Sequence, residues 1–286
     1  MPFLSIPSPC VHAVACIRDI DSRVMSTANP PLPWLAQGKA FPPIHTAWGQ
    51  DSVAPGLLCA GGDLSVDSLK RAYQNSIFPW FSGDQPILWW SPDPRMVLDV
   101  ADFRTHPSFK KVLKKFVRSP ECEIRIDSAF EYVIHACATS LRDGQAGSWI
   151  VPEMISAYTG LHHAGFAHSV ETWVDGQLVG GLYFMAIGQS VFGESMFHYA
   201  TDGSKIALAA LICMCRHFGI QQIDCQQNTR HLASLGAREI PRSHFADSVR
   251  KFALTPGPMW KFSPIYWNDI ASLNPYQSDP TPCARI

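Results

Sequence analysis

Apolar positions Phe109, Val112, Leu113, Phe116 and Val117 recur at the i, i+3, i+4, i+7, i+8 spacing of one helix face, with Lys110, Lys111, Lys114, Lys115 and Arg118 on the others. The pattern predicts an amphipathic helix opening at Pro107. Leu69, Ala72 and Tyr73 predict a shorter helix after the Gly61-Gly62 turn, capped by Ser65 and unable to continue past Pro79. Ser128 and Glu131 stand at capping-box spacing before a helix through about Thr139, and Pro152 and Gly165 bracket a further one. From His168 to Ile187 apolar and polar residues alternate around Asp175-Gly176, the sequence signature of a β-hairpin. A third strand is expected from Ser190 to about Ser195, followed by a helix capped by Ser204 and ending at Gly219. The strand Gln222 to Cys225 and a short helix ending at Gly236 complete the pattern. A hairpin feeding a helix and then another strand is an α+β design and not a doubly wound sheet.

Composition narrows the class. Of 286 residues, 47% are hydrophobic and 16% charged, against about 25% charged in an ordinary domain, so a large core is expected. The balance of 23 basic and 24 acidic residues excludes a uniformly basic coat for nucleic acid but leaves room for a local patch. Nine cysteines, an odd count without a C-x-x-C pair, argue against a disulfide framework or a structural zinc site and for a reducing, cytoplasmic compartment. No apolar run reaches the roughly 20 residues of a membrane span, and the N-terminus lacks the basic start of a secretory signal. Residues 1–38, rich in proline and without periodicity, read as an extended lead-in.

Phosphate-loop, dinucleotide and zincin motifs are missing, which disfavours nucleotide-driven and zinc-protease chemistry. Glu194 closes a strongly apolar strand, where an unpartnered carboxylate costs several kcal/mol, so it must meet a cation, a donor or a ligand. Asp224 and Gln226 repeat the arrangement on a second strand and share one face by period 2. If those strands are neighbours the three converge; otherwise Asp224 serves as cap for the helix near Thr229. Trp80, Phe81, Trp89 and Trp90 lie within eleven residues and suit either core or pocket. The lysine-rich helix is either a solvated face or a phosphate-binding one.

Taken together, Gly61-Gly62-Asp63-Leu64-Ser65, Ile77-Phe78-Pro79-Trp80-Phe81, Trp89 through Arg95, His168-Ser169-Val170-Glu171, Gly180-Gly181-Leu182-Tyr183, Gly193-Glu194-Ser195-Met196-Phe197, Asp224-Cys225-Gln226 and Ser234-Leu235-Gly236 resemble the leucyl/phenylalanyl-tRNA–protein transferases. The resemblance implies transfer of Leu or Phe, less readily Met, from aminoacyl-tRNA to the α-amine of proteins beginning with Arg or Lys, marking them for the N-degron pathway. It implies no cofactor, no metal and no membrane. It also implies a small N-terminal domain at 39–95 and an N-acetyltransferase-like (GNAT-like) catalytic domain at 96–286. Carried over residue by residue, the catalytic group falls on Glu194, Asp224 and Gln226. The pocket for the amino acid and terminal adenosine falls on Tyr73, Trp80, Phe81, Trp149, Tyr158, Leu182, Met196, Leu211 and Ser234. Lys110, Lys111, Lys114, Lys115 and Arg118 are the candidates for tRNA phosphate contacts. Phe184 stands where the family usually has Gly. An acyl-CoA N-acetyltransferase would show an R/Q-x-x-G-x-G/A loop, which residues 200–205 do not match. A non-catalytic tRNA or degron adaptor is the other alternative.

Overall fold

The computed structural model of the protein describes residues 31–140 and 150–269. In chain order the elements begin with β1 (Trp34–Leu35), β2 (Leu57–Gly61), α1 (Val66–Gln74), β3 (Phe78–Pro79) and β4 (Leu88–Trp90). These strands form a small sheet of order β1-β2-β4-β3. Then follow β5 (Arg95–Asp99), α2 (Pro107–Arg118), β6 (Cys122–Ile126), α3 (Phe130–Thr139), α4 (Pro152–His163), β7 (Ala167–Val174), β8 (Gln177–Ile187) and β9 (Ser190–His198). The chain continues through α5 (Gly203–His217), β10 (Gln222–Gln226), α6 (Arg230–Ser234), β11 (Arg238–Ile240) and α7 (Arg242–Phe252). The large sheet has the order β11-β5-β10-β9-β8-β7-β6. Its ladders are antiparallel except for β9 with β10, which run parallel around the crossover helix α5.

Period-2 alternation divides the large sheet's faces between two cores. Along β8, Tyr183, Met185 and Ile187 join a core with α1, α3, α4, α7 and the small sheet, while Leu182, Phe184 and Ala186 join a second core with α2 and α5. The small sheet therefore has no interior of its own. Trp89 and Trp90 are fully buried within the first core, and their indole N–H groups donate to the carbonyls of Gly61 (2.8 Å) and Trp80 (2.7 Å). Helix α2 buries Phe109, Leu113 and Phe116 as its spacing predicts, at roughly 1.5–3 kcal/mol for each side chain. Leu35, within the stretch read as lead-in, is buried, and its carbonyl accepts from the Gly62 N–H at 2.8 Å.

Asp175 (φ 50°) and Gly176 (φ 70°) make the expected hairpin turn between β7 and β8. Ser65 caps α1 by accepting from the Ser68 N–H. Two expected caps are corrected. Ser128 does not close a box with Glu131: its hydroxyl and the Ala129 N–H donate to Glu171, a fully buried carboxylate that also accepts from Ser169 and Trp173. Ser204 lies inside α5, and the residue before that helix is Asp202, in left-handed conformation (φ 63°). The third strand also extends beyond Ser195 to His198. Strands β5, β6 and β11 and helix α7 were not announced by periodicity. Among the described residues no helix is long and apolar enough to cross a membrane.

Candidate active site

Two irregularities at the same level of neighbouring strands build the site. In the β8–β9 ladder Tyr183 pairs with Ser195 and Phe184 with Gly193, so Glu194 is an extra, unpaired residue. Such a bulge re-aims a side chain and shifts the phase of everything after it. Phe192 and Phe197, five residues apart, accordingly face the same core. On β10, Asp224 pairs with Val97 and Gln226 with Met96, which leaves Cys225 bulged and Gln226 at φ 61°. The parallel ladder between β9 and β10 consists of only two residue pairs, ending at Phe192 and Asp224. Just beyond its end Glu194 and Gln226 meet across the gap, the Gln226 Nε2 donating to Glu194 Oε2 at 3.1 Å.

Two buried tyrosines complete the Glu194 environment from below. Tyr73 Oη, on α1, donates to Glu194 Oε1 at 2.6 Å, Tyr158 Oη, on α4, lies 3.3 Å from Oε2, and the two hydroxyls touch each other. Both are fully buried. Burial outweighs these donors and, with some help from the negative Asp224, pushes the Glu194 carboxyl up from 4.5 to about 7. Burial and the Glu194 charge in turn hold both phenols well above their ordinary value. The site thus contains a carboxyl poised between its two protonation states near neutral pH, the condition for moving a proton there.

Asp224 is placed differently. It is 1% exposed, and Arg95, 0% exposed, grips it through Nε to Oδ1 (2.8 Å) and Nη2 to Oδ2 (2.6 Å). Its Oδ1 also accepts from the Gln226 backbone N–H at 2.9 Å. Both carboxylate oxygens are engaged, so Asp224 fixes the bulge and Gln226. It does not cap the next helix, where Thr229 accepts from the Leu232 N–H. Arg95 is the site residue that sequence reasoning missed. A buried aspartate at a strand end demands a cation, but nothing in the spacing says which one.

The other expected residues separate by face. Tyr73, Tyr158 and Phe81 belong to the first core, and Trp80 packs beside it with its ring 5.3 Å from Trp90. Leu182 and Leu211 belong to the second core, against which Met196 packs. The two sets lie on opposite sides of the sheet. Ser234 is exposed on α6, its hydroxyl donating to the His231 carbonyl at 2.6 Å. Trp149 lies outside the described residues. Phe184 fills the second core against Trp260, ring centres 4.8 Å apart. On α2, Lys110, Lys111, Lys115 and Arg118 are exposed and Lys114 half-buried, and none forms an ion pair with a described residue. At the start of α5, a Cβ on Gly180 would come within 2.6 Å of the Gly203 backbone, so strand and helix are in direct backbone contact.

Comparison with known proteins agrees with this arrangement of motifs. The family model described as leucyl/phenylalanyl-tRNA protein transferase matches residues 97–250, and that of its N-terminal domain matches residues 62–93. The leucyl/phenylalanyl-tRNA–protein transferase of Albidiferax ferrireducens is 60% identical over 246 residues, covering 86% of this chain and 97% of the relative. That of Polaromonas sp. is 59% identical over 240 residues (84% and 94%), and that of Burkholderia pseudomallei 52% over 231 (81% and 91%). Among solved structures, a GCN5-related N-acetyltransferase-like protein from Streptococcus suis aligns at 13% identity over 61% of this chain and 63% of its own, with a TM-score of 0.30, too low to carry an argument. With both family models matched in order and relatives above one-half identity along most of its length, this α+β chain belongs to the leucyl/phenylalanyl-tRNA–protein transferases, enzymes that transfer an aminoacyl group from tRNA to protein.

Proposed function

We propose that the chain transfers Leu or Phe, and less readily Met, to proteins whose first residue is Arg or Lys, and that Glu194 and Gln226 form the reacting site. The observation that carries this reading is their contact beyond the end of the β9–β10 ladder, backed by two buried hydroxyls. The aminoacyl ester is already activated, and its conversion to an amide is downhill, so no further energy source is needed. The α-amine, with a reference value of about 7.7–8, is neutral in roughly a tenth or more of molecules at pH 7. Its nitrogen attacks the ester carbon, the bond to the ribose oxygen breaks, and one proton passes from the amine to the leaving oxygen. Glu194 takes part in that proton transfer and presents negative charge to a cationic first residue. Gln226, its N–H turned toward Glu194, offers its amide oxygen to the amine. Asp224 acts from behind through Gln226.

Trp80, Phe81 and Trp149 would hold the terminal adenosine, and Leu182, Met196 and Leu211, reached where the strands part, would receive the transferred side chain. Ser234 is included as a rim residue. Helix α2 would contact tRNA phosphates through Lys110, Lys111, Lys114, Lys115 and Arg118 without reading sequence. A catalytic unit from residue 96 onward of N-acetyltransferase-like architecture is supported by the antiparallel strands leading into a parallel pair around α5. The thiols of Cys59, Cys122, Cys215 and Cys225, outside any disulfide, support a reducing, cytoplasmic setting, in which the product would enter the N-degron pathway. Single-turnover transfer from Leu-tRNA to an Arg-initiated peptide tests the reading. Tight binding of both substrates without transfer would make the protein an adaptor instead.

A further inference from the structure

We infer that Arg95 is a positioning residue for the transfer reaction, holding Asp224 so that Gln226 is fixed opposite Glu194. Arg95 opens β5, next to β10, and its side chain is shut away from solvent. Every arm of the guanidinium is occupied. Nε and Nη2 clasp the two Asp224 oxygens, Nη1 donates to the Ser76 carbonyl at 3.3 Å, and the rings of Phe78 and Phe245 stand on it, each with its centre 4.7 Å away. A fork gripped on all sides leaves Asp224 one orientation. The Asp224 Oδ1 then accepts from the Gln226 N–H, which steadies a non-glycine residue in left-handed backbone conformation (φ 61°) and aims its amide at Glu194. The chain of contacts therefore runs from the turn after α1, which supplies Ser76, and from β3 of the small sheet, which supplies Phe78, to the reacting groups. None of these contacts gives Arg95 access to substrate, so its effect must pass through Asp224.

Charge supplies the second half of the inference. The groups around Glu194 are Tyr73 from α1, Tyr158 from α4, Gln226 and Asp224 from β10, and behind them Arg95 from β5. Arg95 and Asp224 cancel one another, so among the described residues around the site Glu194 is the acid left without a cation. Breaking the geometry of the pair should lower the rate, and removing one of its two charges should in addition move the pH at which the rate is gained.

The inference rests on the reading of Glu194 and Gln226 as the reacting site, and the test separates the two. Kinetics of transfer from Leu-tRNA to an Arg-initiated peptide would be compared for Arg95→Lys, Asp224→Asn and Gln226→Ala, with circular dichroism and melting confirming the fold. Arg95→Lys keeps the charge but loses the fork; kcat should fall on the order of 10²-fold, as for other small misplacements of reacting groups. KM for aminoacyl-tRNA should stay within about twofold and the acid limb of the pH profile should not move, because the charge is kept. Asp224→Asn leaves the Arg95 cation uncompensated, so the acid limb should move to lower pH. A merely structural pair would shift neither limb nor split kcat from KM. Full kcat in a folded Arg95→Lys, with Gln226→Ala inactive, overturns the inference alone. Full kcat in Gln226→Ala overturns the site reading beneath it.

Discussion

Replacing Glu194 by Gln should stabilise the fold at alkaline pH while disabling the enzyme. The carboxyl is moved from 4.5 to about 7, chiefly by burial, and a displacement of that size corresponds to about 3 kcal/mol held against the ionised form. The sign follows from proton binding. Between these two values the folded state keeps a proton that the unfolded chain has released, so stability falls as pH rises through the window. Below about 4.5 the group contributes nothing, and above about 7 the whole cost is present. Glu194→Gln abolishes this titration and keeps an amide oxygen to accept from Tyr73. The amide replacement can alter the hydrogen bonds to Gln226 and Tyr158, but that change is the same at every pH. Urea unfolding of both proteins at about pH 4.5 and pH 8 should therefore show the stability difference shifting by up to about 3 kcal/mol in the variant's favour at the higher pH. Transfer activity should drop by about 10²–10⁴-fold, as for loss of an acid–base group, with the limb near neutrality gone. A stability difference that does not change with pH would refute the argument that Glu194 is desolvated.

The remaining predictions follow from neighbouring features. Peptides beginning with Arg or Lys should accept, and those beginning with Asp or Glu should not, because a second anion would meet Glu194; equal single-turnover rates for both sets would remove the charge argument. Leu, Phe and Met donors should be graded, since an apolar pocket separates near neighbours by only about 1–3 kcal/mol; efficient transfer of Asp or Lys from its own tRNA would contradict that. Lys111→Ala with Lys115→Ala should raise KM for aminoacyl-tRNA and flatten the log–log salt slope by up to about two. A minimal aminoacyl-adenosine donor should be nearly unaffected, and equal loss with both donors would mean the helix is structural. Gly180→Ala should cost about 1–3 kcal/mol in urea unfolding, because its Cβ meets the Gly203 backbone at 2.6 Å; an unchanged midpoint would show that α5 can yield.

Local pattern was enough for the elements that carry their own signals. The i, i+3, i+4 face of Phe109, Leu113 and Phe116, the Asp175-Gly176 turn and the Ser65 cap each depend on neighbours in sequence, and each forms as read. Short β5 and β11 gave no such sign, because their residues become strand only by pairing with one another and with β10. The Ser128 box failed for a related reason: Glu171, distant in sequence, offered a buried acceptor that outcompeted the local one. For the site, residue chemistry marked Glu194, Asp224 and Gln226, since carboxylates on apolar strands must find partners. What period 2 could not supply was the pair of bulges that brings Glu194 and Gln226 together, nor the division of the pocket residues between two faces. The sequence also left the two carboxylates interchangeable. Burial beside two phenols gives one of them a proton near neutral pH, and a guanidinium shut in by Phe78 and Phe245 grips both oxygens of the other; these are long-range consequences of packing that no local spacing encodes.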